Sequence, residues 1–104
     1  MARMVVIYRT PKDIKEFEKH YWEIHIPMAK NLPGLRKYEV SRGPITTLLG
    51  NKDTYLIATL YWDTFADLQK AFASECGQDC AKDRKIFAPD EYVQMFLIDE
   101  TLAV

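Results

Sequence analysis

Proton transfer near neutrality is within reach of two side chains in this sequence, His25 and Tyr38. An imidazole titrates near pH 6.5 and serves as acid or base there, while a phenol can donate to an oxygen that gains charge. Converging on an apolar chamber, the pair could deprotonate and reprotonate a carbon acid, with Arg36 or Arg42 steadying an enolate or carboxylate. Plainer roles stand beside these. His25 could bond the last carbonyls of a helix, favoured by the helix dipole. Tyr38 could be a strand aromatic with its hydroxyl at the rim, and both arginines read as solvated strand ends.

Other chemistries lack their residues. His20 and His25 are five apart, which on a regular helix puts them ~140° apart rather than on one face. Cys76 and Cys80 have no second ligand pair, so no zinc site is expected and no role is assigned to them. There is no glycine-rich phosphate loop, GxSxG elbow or dinucleotide fingerprint. Chemistry without metal or organic cofactor, or no chemistry at all, is the expectation.

The elements that must position these residues follow from periodicity. Met4 to Arg9 reads as a strand ended by Thr10-Pro11. Asp13 with Glu16 three residues on signals a helix start, and Ile14, Phe17, Tyr21, Ile24 and Met28 form its apolar stripe. That stripe leaves His25 at the border of the buried face and Trp22 outside it. Pro27 disfavours helical geometry at Ile26, so the helix should end or kink near His25. Pro33-Gly34 turns the chain into a strand from Leu35 to Arg42, bringing Tyr38 back toward the helix end. After a loop from Gly43 to Lys52, Thr54 to Trp62 is the strongest strand signal. Thr64 with Asp67 starts a second helix with Phe65, Leu68 and Phe72 inward, which Gly77 can end. Cys80 to Phe87 reads as a short extra helical piece, and Tyr92 to Ile98 as a fourth strand.

The order predicts an α+β fold, a βαββαβ split sheet with both helices on one face. Strand parity adds a constraint. The third and fourth strands are apolar on both sides, yet two helices cover one face of a sheet. A second copy of the chain is the simplest cover for the other, giving a face-to-face homodimer around an apolar chamber. The alternative cover is the long loop and the chain ends. Candidate chamber lining comprises Tyr8, Tyr21, Met28, Val40, Tyr61, Phe87 and Phe96, all core residues first.

Composition bounds the partners. The 104 residues, 48% hydrophobic and 28% charged, suit one globular domain spanning 1–104 and argue against disorder. Fourteen basic against fifteen acidic residues leave a charge of −1, which implies no basic face, so neither nucleic acid nor an anionic membrane is expected as a partner. The apolar run after Met1-Ala2-Arg3, Met4 to Tyr8, is too short for a secretory signal, and the longest near-apolar run, Tyr55 to Trp62, falls far below the ~20 residues of a membrane span, so neither is expected. Two cysteines make no disulfide framework, which points to the cytoplasm.

The run Phe17-x3-Tyr21-x3-His25-x-Pro27-x-Ala29, followed by Leu32-Pro33-Gly34-Leu35 and Tyr38-Glu39-Val40, resembles the EthD-like family, named for ethyl tert-butyl ether degradation, in the dimeric α+β-barrel superfamily. The likeness extends from Tyr8-Arg9 to Trp62, Phe65, Leu68, Asp83 and Phe87. It implies a ferredoxin-like monomer whose sheet closes a barrel across a homodimer, and a small hydrophobic or aromatic ligand. It also implies a link to monooxygenase-dependent breakdown. In the related lactone isomerases a histidine at this helix end and a tyrosine of the next strand lie in the active site, and His25 and Tyr38 match them. The isomerases' other pocket residues find no match, so their reaction is not carried over. Two functions are therefore expected: cofactor-free conversion of a small carbonyl, lactone or phenolic compound, or a non-catalytic carrier serving a partner oxygenase.

Overall fold

β-branched and aromatic residues build the two central strands of the sheet, β1 (Ala2–Arg9) and β3 (Thr54–Trp62). The edges are β2 (Lys37–Val40) and β4 (Val93–Ile98). A computed structural model describes residues 1–104, and its strands run in the order β2-β3-β1-β4 with every pair antiparallel. Inserting β3 between the first two strands is the ferredoxin-like split arrangement that the element order predicts. β2 is shorter than expected, although Arg36 N–H to the Tyr61 carbonyl (2.8 Å) and Ser41 N–H to the Ile57 carbonyl (2.9 Å) prolong its ladder. Tyr92 closes a 3-10 turn (Asp90–Tyr92) instead of opening β4.

Three capped helices and a short fourth cover one face. The Asp13 carboxylate accepts the Glu16 N–H at the start of α1 (Ile14–His20). A π-helical turn (Tyr21–His25) then leads into α2 (Ile26–Ala29). Thr64 accepts the Asp67 N–H at the start of α3 (Phe65–Ala73). The expected end at Gly77 is wrong. Ser74 leaves helical geometry, ends α3, and caps α4 (Glu75–Phe87) by accepting the Gly77 N–H. Gly77 sits in the first turn of α4, where a Cβ would lie 2.2 Å from the Ala71 carbonyl oxygen. It is there for close packing, and the short extra piece expected after Cys80 is a 13-residue helix. At the turn into β2, Gly34 has φ of +70°, and Trp62 Nε1–H donates to the Pro33 carbonyl at 2.9 Å.

The core lies between sheet and helices. Ala2, Met4, Val6 and Tyr8 of β1 join Leu56, Ala58, Leu60 and Trp62 of β3 there. On the opposite face Val5, Ile7, Ile57 and Ile98 are half-buried and Phe96 is exposed. The long loop does not fold over them, since its Leu48 and Leu49 are 89% and 93% exposed.

Candidate active site

The extra residue of the π-turn decides the site. Pro27 has no N–H, and its ring would press on the carbonyl four residues back. The helix widens just before it, where the Ile26 N–H reaches the Tyr21 carbonyl, five residues back. Two consequences overturn the sequence expectation. The buried face slips by one residue, so His25, Ile26 and Ala29 turn inward while Ile24 is exposed and Met28 half-buried. His20 and His25, expected on different faces, meet one carboxylate. His20 Nε2 lies 2.8 Å from Asp83 Oδ1, and His25 Nδ1 lies 2.9 Å from Asp83 Oδ2.

Asp83 comes from α4, whose inward stripe is Cys76, Cys80, Asp83 and Phe87. It is 6% exposed, and a buried carboxylate requires donors. Because an ionised carboxylate only accepts, each imidazole presents an N–H to it. That fixes the proton of neutral His25 on Nδ1 and leaves the lone pair on Nε2, which has no partner within the chain. Burial holds His25 below its usual pKa, opposed by the hydrogen bond and charge of Asp83. Phe87 and Tyr21 clamp the ring, with centroids 4.8 and 5.7 Å away.

His25 borders a cavity of about 140 Å³ between the sheet and the helices, 14 of whose 17 lining residues are hydrophobic. A wall of that composition selects apolar ligands and leaves orientation to its few polar groups. Tyr38 is one, its hydroxyl 2.9 Å from that of Tyr21. Tyr21 is fully buried and has no other acceptor, so it donates to Tyr38, whose own O–H is left for a ligand. Burial pushes the Tyr38 phenol up to about 12. Arg84 is the cation of the wall. Its Nη1 is anchored by the Ala88 carbonyl (2.9 Å) and Asp90 (2.8 Å), leaving Nε and Nη2 unpaired. The Cys80 thiol also lines the cavity, pushed up to about 12 chiefly by burial and so a poor nucleophile. No group of three His, Cys, Asp or Glu is arranged to hold a metal ion.

Of the residues singled out in the sequence, His25, Tyr38 and Tyr8 line this cavity. Tyr21 and Phe87 stand behind them, while Met28 and Val40 lie outside it. Tyr61 and Phe96 are on the other sheet face, because they alternate with Leu60 and Leu97 along their strands. Tyr61 donates there to Glu39, under the Arg3 guanidinium at 4.5 Å. Arg36 is paired with Asp63 at 2.7 Å and Arg42 is exposed, so neither reaches the cavity. This cavity lies within one chain, between its sheet and its helices. Sequence reasoning missed His20, Asp83 and Arg84. The readable signal was a carboxylate inside the α4 stripe, between Cys80 and Phe87.

A family model described as the EthD domain matches residues 9–91. The chain belongs to the EthD family. This EthD chain is 32% identical over 103 residues to the "uncharacterized 11.0 kDa protein in thcB-thcC intergenic region" of Rhodococcus erythropolis, covering 98% of each. It is similar to the crystal structure of an EthD family protein from Bacillus halodurans, with a TM-score of 0.86, 29% identity, and 97% of this chain and 99% of that one covered. SnoaB of Streptomyces nogalater, described as a cofactor-independent oxygenase, shares the fold at a TM-score of 0.66 and 13% identity, over 99% of this chain and 95% of that one. No helix is long and apolar enough to cross a membrane.

Proposed function

We propose that this EthD chain binds a small hydrophobic or aromatic carbonyl, lactone or phenolic compound in the cavity under its helices and converts it by acid–base chemistry. The supporting observation is the Asp83–His25 pair opening on an apolar cavity. His25 Nε2 takes a proton from the carbon next to a carbonyl, and the C–H electron pair moves onto the carbonyl oxygen. Tyr38 O–H and the Arg84 guanidinium stabilise that oxyanion. In an unsaturated substrate His25 then returns the proton to another carbon of the enolate, an isomerisation. In a cyclisation the enolate carbon attacks a second carbonyl carbon of the same molecule, whose π pair moves to its oxygen and takes the proton. Either balances without a redox partner. The reaction belongs to a breakdown or tailoring pathway. We take the working unit to be one domain in a homodimer, joined through the half-apolar open sheet face, in a cytoplasm that keeps Cys76 and Cys80 as thiols.

A second reading, a carrier that holds a hydrophobic intermediate for a partner oxygenase, draws on the fold shared with SnoaB and on the same apolar wall. Deuterium exchange into 2-tetralone, an aromatic ketone, separates the two. The enzyme reading expects exchange above background, reduced at least a hundredfold in His25→Ala and about tenfold or more in Tyr38→Phe, with binding kept. Binding with no exchange in the native protein or either variant supports the carrier.

A further inference from the structure

Asp83 serves two imidazoles that open on different surfaces. His25 faces the internal cavity, whereas His20 lines a separate outer groove of about 340 Å³ between the start of α1 and the end of α4. The His20 side chain is 21% exposed and reaches solvent, while those of His25 and Asp83 are 9% and 8% exposed. One buried carboxylate therefore links a surface imidazole to an interior one.

We propose that His20 is a positioning residue for the interior base: by donating to Asp83 from the groove, it holds the carboxylate and keeps His25 unprotonated. Two physical effects act in the same direction. An N–H bond from His20 disperses the charge of Asp83, so less of it supports an imidazolium at His25. Charge on His20 also acts directly across the shared carboxylate, in the direction that lowers the affinity of His25 for a proton. Both effects extend the pH range over which His25 Nε2 stays a free base. Other charges face the pair too. Asp83 and Arg84 of α4 face His25, along with the hydroxyls of Tyr8 and Tyr38 and the Cys80 thiol. Arg9, Lys12, Asp13, Glu16 and Glu91 line the groove around His20. Those groups are the same in the native protein and in both His20 variants below, so differences among these three report His20 alone.

The inference rests on His25 being the base of the proposed reaction, but its test needs no turnover. The imidazole resonances of His20 and His25 are followed by NMR against pH in the full chain. His20→Phe keeps a ring against Phe87, 5.2 Å away, but removes the donor. In that variant the His25 titration should move about half to one pH unit higher. His20→Gln, which can still donate, should bring His25 at least half-way back. Asp83→Asn, without the carboxylate, should move His25 downward instead. A His25 titration unchanged in a folded His20→Phe protein overturns the proposal, as does an equal rise in His20→Gln. Absence of 2-tetralone exchange would count against the acid–base reading and leave these titrations to be judged on their own.

Discussion

Removing the Tyr38 hydroxyl strands a proton. With Tyr38→Phe, the buried Tyr21 O–H loses the acceptor it reaches at 2.9 Å, an expected cost of about 1–3 kcal/mol in urea unfolding. Tyr21→Phe combined with Tyr38→Phe leaves no orphan and should recover most of that loss. A double-mutant cycle that came out additive would mean the two hydroxyls do not depend on each other. His25 gives a second prediction at this scale. Burial lowers its folded-state pKa, so as pH falls below about 6.5 the unfolded chain takes up the proton first. The stability His25 contributes is complete above that value and lost on acidification, by about 1.4 kcal/mol for each pH unit separating folded from unfolded pKa. Urea unfolding of the native protein should therefore weaken between pH 7.5 and 5, and His25→Gln should flatten that dependence. Tyr38 and His25 were legible because their types announce proton chemistry. The role of Asp83 was not: its place between Cys80 and Phe87 was a signal, but a lone carboxylate in a helix reads as solvated until the partner helix brings two imidazoles to it.

Among the elements, local signals carried furthest where a side chain closes its own backbone. Asp13 and Thr64 cap the helices that their spacing to Glu16 and Asp67 announces, and β3 has the predicted limits, Thr54–Trp62. Failures occur where a neighbour overrides the local pattern. A fixed period of 100° per residue cannot contain a π-turn, so the stripe was carried one residue out of step past Tyr21, and His20 was separated from His25. Pro27 warned of an end or a kink near His25, and the chain takes the second course, resuming as helix over Ile26–Ala29. Gly77 looked like a helix end because glycine favours that position, whereas its task is to admit the Ala71 carbonyl. That contrast is testable. If Gly77 merely ended a helix, alanine there would be mild. A Cβ placed 2.2 Å from a main-chain oxygen must instead push α4 away from α3, and α4 carries Asp83, Cys80 and Arg84 into the site. Gly77→Ala is expected to cost about 2 kcal/mol or more and to lower ligand affinity, read by thermal unfolding and titration.

At the level of the molecule, the cavity and the open sheet face are separate features on opposite sides of one sheet. Tyr8, Met4 and Val6 point into the cavity, while Val5, Ile7 and Phe96 point away from it. The two-sided grease of the strands was legible in the sequence, and in the single chain one side of it lines the cavity while the other stays open. A half-apolar face of this kind, left open by its own loops, is the expected seat of a second copy. Phe96 is 43% exposed in the single chain, so a charge there disturbs the fold little while opposing burial against a partner. Phe96→Glu should convert a dimer to a monomer in light scattering at micromolar concentration. Because the His25 cavity is built within one chain, the monomer should bind 2-tetralone within about threefold of the native affinity, less than one tenfold step of 1.4 kcal/mol. A monomer that lost binding outright would mean that the partner completes the cavity. A Phe96→Glu protein that stayed dimeric would move the interface off the open sheet face.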